Sequence, residues 1–216
     1  MKVVVSHPDK QHSPALIRVL HQAGILTQFF TLFAANRIPV EVPALRKRKF
    51  GDIPPSRITH FPIYWTLGRV LNWDGYRRMY PWFDQKVGKT LEKYPADIVI
   101  SYENANAHTF KKAKEQGKIT VLDLAAVHHH HYQALYQKYP AYRNILTNES
   151  YFKALNEQKK EAYAYTDYWF CLSSYAKKTL IAGGLRPEQI FIINLGTKLD
   201  LFQAKPSYRV DDGPLK

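Results

Sequence analysis

The sequence lacks a second cysteine and any long apolar run. Cys171 is the sole cysteine, so no internal disulfide can form, and we expect a reducing cytoplasm as the compartment. No stretch approaches the ~18 apolar residues of a membrane-spanning helix. Only Val3-Val4-Val5 separates Met1-Lys2 from polar residues, which is too short for the apolar core of a signal peptide. We therefore expect a protein that is soluble or bound peripherally to a membrane.

The loop after the first apolar run lacks glycine. It reads Ser6-His7-Pro8-Asp9-Lys10-Gln11-His12-Ser13, whereas a dinucleotide fingerprint and a P-loop both need glycines where the backbone approaches a pyrophosphate. This argues against a Rossmann-type dehydrogenase or a nucleotide hydrolase. His7, His12 and Ser13 instead offer donors to a phosphate or sugar hydroxyl beside a helix N-terminus. The alternative is a plain polar loop in which Ser13 caps the following helix.

Acidic residues are scarce near the start of the chain. The formal net charge is +13, and residues 1–60 contain nine Lys/Arg against three Asp/Glu. Much of this charge lies in Arg46-Lys47-Arg48-Lys49. Such a run is suited to nucleic acid, an anionic membrane or an acidic partner domain, or it forms a solvated loop.

Residues 61–94 combine aromatic and basic side chains. Three of the four tryptophans, Trp65, Trp73 and Trp82, lie here among six Lys/Arg. Basic amphipathic helices with aromatic residues bind membrane interfaces, but the same aromatics could pack in the core. Aromatic and basic residues can also bind single-stranded nucleic acid, although no recognisable nucleic-acid module accompanies them.

Apolar runs alternate with helical segments along the chain, which predicts a parallel sheet. We predict strands at 3–6, 26–32, 57–61, 97–102, 119–124, 168–172 and 190–193. Predicted helices cover 14–23, 64–94 with a break near 72–75, 106–116, 132–165 with an interruption near Pro140, and 176–182. The result is an α/β fold, a doubly wound and mainly parallel sheet with helices on both faces. One domain covers 1–206, and the polar residues 207–216 form a linker.

Two later loops carry polar side chains suited to a sugar. Glu103 and Asn104 follow the strand 97–102, where they can bind sugar hydroxyls, unless Asn104 or Asn106 caps the next helix. Four consecutive histidines, 128–131, follow the strand 119–124. Consecutive side chains point in different directions, and no Cys or Glu ligand pattern accompanies them. We therefore predict no metal site.

The last quarter of the chain carries the most specific pattern. An apolar strand leads into Ser173-Ser174-Tyr175-Ala176-Lys177, and a second into Ile192-Ile193-Asn194-Leu195-Gly196-Thr197-Lys198, with Phe202 beyond. This order resembles the end of the N-terminal domain of retaining, GT-B-fold glycosyltransferases of family 4 (group 1). The chain departs from that family in having Thr197-Lys198 where Val-Asp is typical, and in its glycine-free first loop. The resemblance implies a Rossmann-like domain, one half of a GT-B fold.

The resemblance also implies an activity. The complete enzyme would be of hexosyltransferase type. It would transfer a sugar from a nucleotide-sugar donor to a sugar or lipid-linked sugar acceptor, with retention of configuration at the anomeric carbon and without a metal or cofactor. A C-terminal domain would hold the donor, so we expect negligible activity from this chain alone. Because several enzymes of this family act on lipid-linked acceptors, we expect a cytoplasmic protein, peripheral on the inner face of the membrane. We expect no nucleic-acid partner, because the sequence contains no recognisable nucleic-acid module. The alternative is a stand-alone basic-aromatic protein that binds an anionic membrane or nucleic acid.

The catalytic and donor-binding residues follow from the same resemblance. His128, or another of the four histidines, would face the transferred sugar as the catalytic group, by hydrogen bonding or charge stabilisation. Donor contacts would come from Ser173, Lys177 and Gly196. The glycine suits a loop that needs a positive φ or a close approach of the backbone. The chemistry of the polar loops, together with the resemblance for His129, predicts a substrate-binding set of His7, His12, Ser13, Glu103, Asn104 and His129.

Overall fold

A seven-stranded sheet in which every neighbouring pair is parallel organises the molecule. The computed structural model describes residues 1–38, 42–72, 78–139 and 149–196. The strand order is β3-β2-β1-β4-β5-β6-β7. The strands are β1 Val3–Ser6, β2 Leu26–Thr31, β3 Ile58–His60, β4 Ile98–Tyr102, β5 Ile119–Leu124, β6 Tyr168–Cys171 and β7 Ile190–Ile192.

Helices connect most of these strands. They are α1 Ser13–Gln22, α2 Pro62–Val70, α3 Tyr80–Thr90, α4 Ala107–Glu115, α5 His129–Lys138, α6 Glu149–Ala164 and α7 Ser174–Ala182. Across the described residues, no helix is both long and apolar enough to cross a bilayer. The predicted breaks near 72–75 and Pro140, the domain boundary at 206 and the linker lie wholly or partly outside the described residues.

Both faces of the sheet are covered, as parallel strands require. On one face Val4, Val99 and Leu122 pack with residues of α3, α4 and α7. The alternate residues Val5 and Val121 pack on the other face with Ile17 of α1. The predicted fold class, an α/β Rossmann-like domain with helices on both faces, is confirmed.

The N-terminus of helix α4 is capped by a side chain from another helix. Neither Asn104 nor Asn106 caps it. The Asp84 carboxylate, on α3, accepts hydrogen bonds from the backbone N–H of His108 and of Thr109, both at 2.8 Å. Asp84 is buried, and burial raises its pKa while these hydrogen bonds oppose the shift. A side chain 24 residues earlier in the chain therefore accepts the hydrogen bonds of backbone N–H groups in the first turn of α4.

The order of the strands reverses beside β1. From β1 the chain moves outward through β2 and β3, and it then returns to form β4 on the other side of β1. Helix α1 therefore packs on one face of the sheet and α4 on the opposite face. The connections after β1 and β4 therefore run to opposite faces of the sheet, and in open α/β sheets the crevice that such a divergence forms at the carboxyl edge is the usual ligand site.

Candidate functional site

His7 follows β1 directly and is buried at this edge of the sheet. Its ring stacks on Tyr102, at the end of β4, with centroids 4.1 Å apart. The Asp9 N–H donates to His7 Nδ1, which assigns the ring proton to Nε2. Burial, reinforced by the charge of nearby His12, lowers the pKa of His7 to about 3. His7 is therefore a neutral, buried polar group at physiological pH.

His12 joins the loop after β1 to the end of β5. Its Nε2 lies 2.7 Å from Oδ2 of Asp123, and both side chains are largely but not fully buried. The hydrogen bond that His12 donates to the Asp123 carboxylate raises the pKa of His12, although burial opposes the shift. Nδ1 is the ring nitrogen that this bond does not use.

The pair has the geometry of an acid–base group. A carboxylate that bonds one imidazole nitrogen fixes the ring and stabilises the imidazolium, so the other nitrogen can accept or donate a proton. The rings of His7 and His12 meet edge to face, with centroids 5.5 Å apart. The two histidines have opposite pKa shifts, which suits one for proton transfer and the other for neutral hydrogen bonding.

The walls of the crevice contain strained backbone and unpaired polar atoms. Gln11 (φ 27°) and Asn104 (φ 71°) occupy the left-handed region in the loops after β1 and β4, a conformation that costs a non-glycine residue energy and is common at binding sites. Ser6 Oγ, His7 Nε2 and Asn104 Oδ1 are buried without a hydrogen-bond partner within the described structure. Because buried polar atoms are nearly always paired, these atoms mark a place that a bound polar molecule can complete.

Glu103, predicted to bind sugar hydroxyls, forms an ion pair with Lys159 of α6. Both side chains are buried. Tyr163, one turn further along α6, is partly buried, and desolvation together with the negative charge of Glu103 raises its pKa. Glu103 therefore anchors α6 against the loop after β4.

The histidine run lies at the start of α5. His128 Nδ1 accepts a hydrogen bond from the His130 N–H and caps the helix, and its ring lies within 2.6 Å of where a Cβ on Gly183 would stand. Burial lowers the pKa of His128 to about 4 and that of His129 to about 3. Both rings are neutral and buried, so a catalytic role for His128 stays a prediction, as does substrate binding by His129.

The same histidine run has one feature of a metal-binding site. Ligand atoms of His128, His129 and His130 lie within 4.8 Å of one another. However, His128 Nδ1 already accepts the His130 N–H. The positive charge of Lys159 also lowers the pKa of both His128 and His129, and the same charge disfavours a cation. The expectation that the chain holds no metal stays untested.

Other predicted site residues have local partners. Ser13 is the first residue of α1 rather than its cap, because its buried hydroxyl donates to the Lys10 carbonyl at 2.6 Å. Ser173 caps α7 by accepting the Ala176 N–H. The Lys177 ammonium donates to the carbonyl of Ile190. Donor binding by Ser173 and Lys177, and substrate binding by Ser13, therefore stay predictions.

Gly196 differs from its prediction in conformation. Its φ is outside the left-handed region, and a Cβ there would meet nothing within 4 Å. A positive φ, one of the two reasons for a glycine here, is therefore absent, and the other, a close approach of the backbone, stays a prediction. A side chain at position 196 meets no obstacle in the described structure, and donor binding at this position stays a prediction.

Sequence reasoning missed Asp123, Tyr102 and Lys159. Asp123 is the only charged residue in β5, and a lone carboxylate one residue before the end of a buried strand was a usable signal. Tyr102 ends β4, the strand that leads into the Glu103–Asn104 loop. Lys159 carried no such signal, because α6 contains several similar lysines.

Comparison with known proteins identifies the fold. No protein-family model matches the sequence, and no similar curated protein was found. Among solved structures, UDP-GlcNAc 2-epimerase from Methanocaldococcus jannaschii aligns with a TM-score of 0.51 and 14% identity, over 89% of this chain and 45% of that chain. Anabaena HepE in complex with UDP aligns with a TM-score of 0.53 and 14% identity, over 95% of this chain and 47% of that chain.

Each of these structures is more than twice as long as the part that aligns. Our chain therefore spans less than half of their length. At this level of identity the likeness establishes the fold alone, a Rossmann-like domain of the kind found in GT-B-like proteins.

Proposed function

We propose that this chain is the N-terminal half of a nucleotide-sugar enzyme, specifically the acceptor-side domain of a retaining glycosyltransferase. The observation that carries the proposal is the His12–Asp123 pair, 2.7 Å apart, in a polar crevice at the strand-order reversal. Two lines of support come from outside the site. The C-terminal sequence pattern resembles family 4, and a similar solved structure is described as HepE in complex with UDP-glucose (TM-score 0.50, 13% identity).

The His12–Asp123 pair would remove the proton of the acceptor hydroxyl. A bond forms between the acceptor oxygen and the anomeric carbon, the bond from that carbon to the phosphate breaks, and the nucleoside diphosphate leaves. The acceptor hydroxyl must lose its proton, which passes to Nδ1 of His12 while Asp123 stabilises the imidazolium. The stereochemical course, retention, is proposed from the sequence resemblance alone.

A second candidate is epimerisation of a nucleotide sugar. The same pair favours it, because an imidazole held by a carboxylate can also remove a proton from a sugar carbon. The M. jannaschii protein with a similar fold is described as a UDP-GlcNAc 2-epimerase. The two candidates differ in product, since transfer releases a nucleoside diphosphate and needs an acceptor, whereas epimerisation leaves the nucleotide sugar intact.

Turnover of nucleotide sugars tests both candidates. The protein as its gene encodes it would be incubated with UDP-, GDP- and ADP-sugars, with and without sugar and lipid-linked acceptors, and the products followed by proton NMR. We expect release of nucleoside diphosphate that depends on the acceptor, and a product with the donor's anomeric configuration. A C2 epimer without release would favour the second candidate. No consumption of any nucleotide sugar would refute both.

A further inference from the structure

Helix α2 presents a stripe of aliphatic side chains to solvent. Ile63 and Val70 are each 75% exposed, Leu71 is 55% and Leu67 is 43% exposed. The spacing of 63, 67, 70 and 71 places all four on one side of a helix. Single exposed apolar residues are common on proteins, but a contiguous stripe indicates a binding surface.

The other side of α2 is firmly packed. Trp65 stacks on Phe33, with centroids 4.4 Å apart, and the guanidinium groups of Arg48 and Arg69 lie 5.6 and 5.2 Å from the centre of its ring. Trp65 and Trp82 also pack against the core. The aromatic residues therefore hold the helix in place, and the aliphatic residues are the ones that face outward.

The segment of the chain that contains the stripe is rich in positive charge. Residues 42–72 contain six Lys/Arg and one acidic residue, Asp52, which gives a net charge of +5. Arg46, Lys47 and Arg69 are exposed, and α2 itself has no acidic residue. Apolar side chains beside exposed cations complement an anionic lipid surface, where the apolar groups enter the headgroup region and the cations meet lipid charges.

We propose that α2 and the basic segment Pro43–Arg48 bind the surface of an anionic membrane. The proposal does not depend on the proposed function, because it requires no catalysis. The surface adjoins the candidate site, since Arg48 also pairs with Asp9 at 2.6 Å, in the loop that carries His7 and His12. A membrane bound to α2 would therefore lie beside the carboxyl edge of the sheet.

Site-specific fluorescence tests this contact. Because Cys171 is buried, an environment-sensitive thiol dye will attach selectively to a cysteine introduced at an exposed position. Val70→Cys reports on the stripe, and Val19→Cys on α1 is the matched control, since Val19 is 62% exposed. With vesicles of phosphatidylcholine and 30% phosphatidylglycerol (about one charge per three lipids), we expect a blue shift and quenching by brominated lipid at position 70 only.

Cosedimentation with the same vesicles separates the contribution of the aliphatic side chains from that of the basic side chains. Ile63→Ser combined with Val70→Ser should weaken binding roughly tenfold, whereas Val19→Ser should not change it. Lys47→Gln combined with Arg69→Gln should weaken binding and reduce its sensitivity to salt. Equal responses at positions 70 and 19, equal binding to pure phosphatidylcholine, or binding to single-stranded RNA but not to vesicles would each overturn the proposal.

Discussion

Replacement of His12 with asparagine should lower kcat for nucleotide-sugar turnover about 10²–10⁴-fold, the usual contribution of a general acid–base group. Asparagine keeps the polarity of the side chain and removes the proton-accepting nitrogen. The pKa of His12 is raised from 6.5 by Asp123, so the wild-type rate should fall as pH decreases through a value above 6.5. This acidic limb should be absent from His12→Asn.

His21→Asn is the matched control, because His21 lies in the last turn of α1, the helix that follows His12, at the end remote from His12. We expect its kinetics to equal those of the wild type. Asp123→Asn should lower kcat and move the acidic limb to lower pH, because the hydrogen bond that the carboxylate accepts from His12 is the main cause of the raised pKa of His12. Equal rates for His12→Asn and His21→Asn would exclude proton transfer by His12.

Replacement of Lys159 with methionine should lower the free energy of unfolding by about 3–5 kcal/mol, because it leaves a buried carboxylate without its partner. Lys159 and Glu103 are both buried. The neighbouring Lys160 pairs with Glu157 at 2.9 Å on the surface. Lys160→Met should therefore cost less than about 1 kcal/mol. Urea denaturation of the two variants measures the difference.

The double variant Glu103→Gln/Lys159→Met completes a double-mutant cycle, which measures the interaction between these two side chains. It removes both charges, so its stability should lie much closer to that of the wild type than the stability of Lys159→Met alone. If Lys159→Met is no less stable than Lys160→Met, the buried pair does not fasten α6 to the loop after β4.

The strands were predictable because each is a short apolar run in a chain of alternating elements. The predicted run at 119–124 coincides with β5, and the prediction at 168–172 is one residue longer than β6. Parallel strands buried on both faces are apolar throughout, so this signal does not depend on the distant parts of the chain. The doubly wound architecture followed from these local patterns.

The contacts that build the site were not predictable in the same way. His12 and Asp123 are 111 residues apart, and only the position of β5 two strands from β1 brings them together. His7 and His12 were singled out from their loop, but their partners were not. The cap expected at Ser13 failed because its hydroxyl bonds the Lys10 carbonyl inside the loop, a contact that depends on the path of that loop.

The central claim is that the crevice at the carboxyl edge, with His12 and Asp123, is one wall of a nucleotide-sugar site. A crystal structure of the protein as its gene encodes it, with a nucleotide sugar that the turnover assay identifies, tests this claim most directly. We predict that the sugar, or an acceptor analogue beside it, places an oxygen about 2.6–3.2 Å from His12. A nucleotide sugar bound away from the loops after β1 and β4, with no polar ligand atom near His12, would contradict the claim.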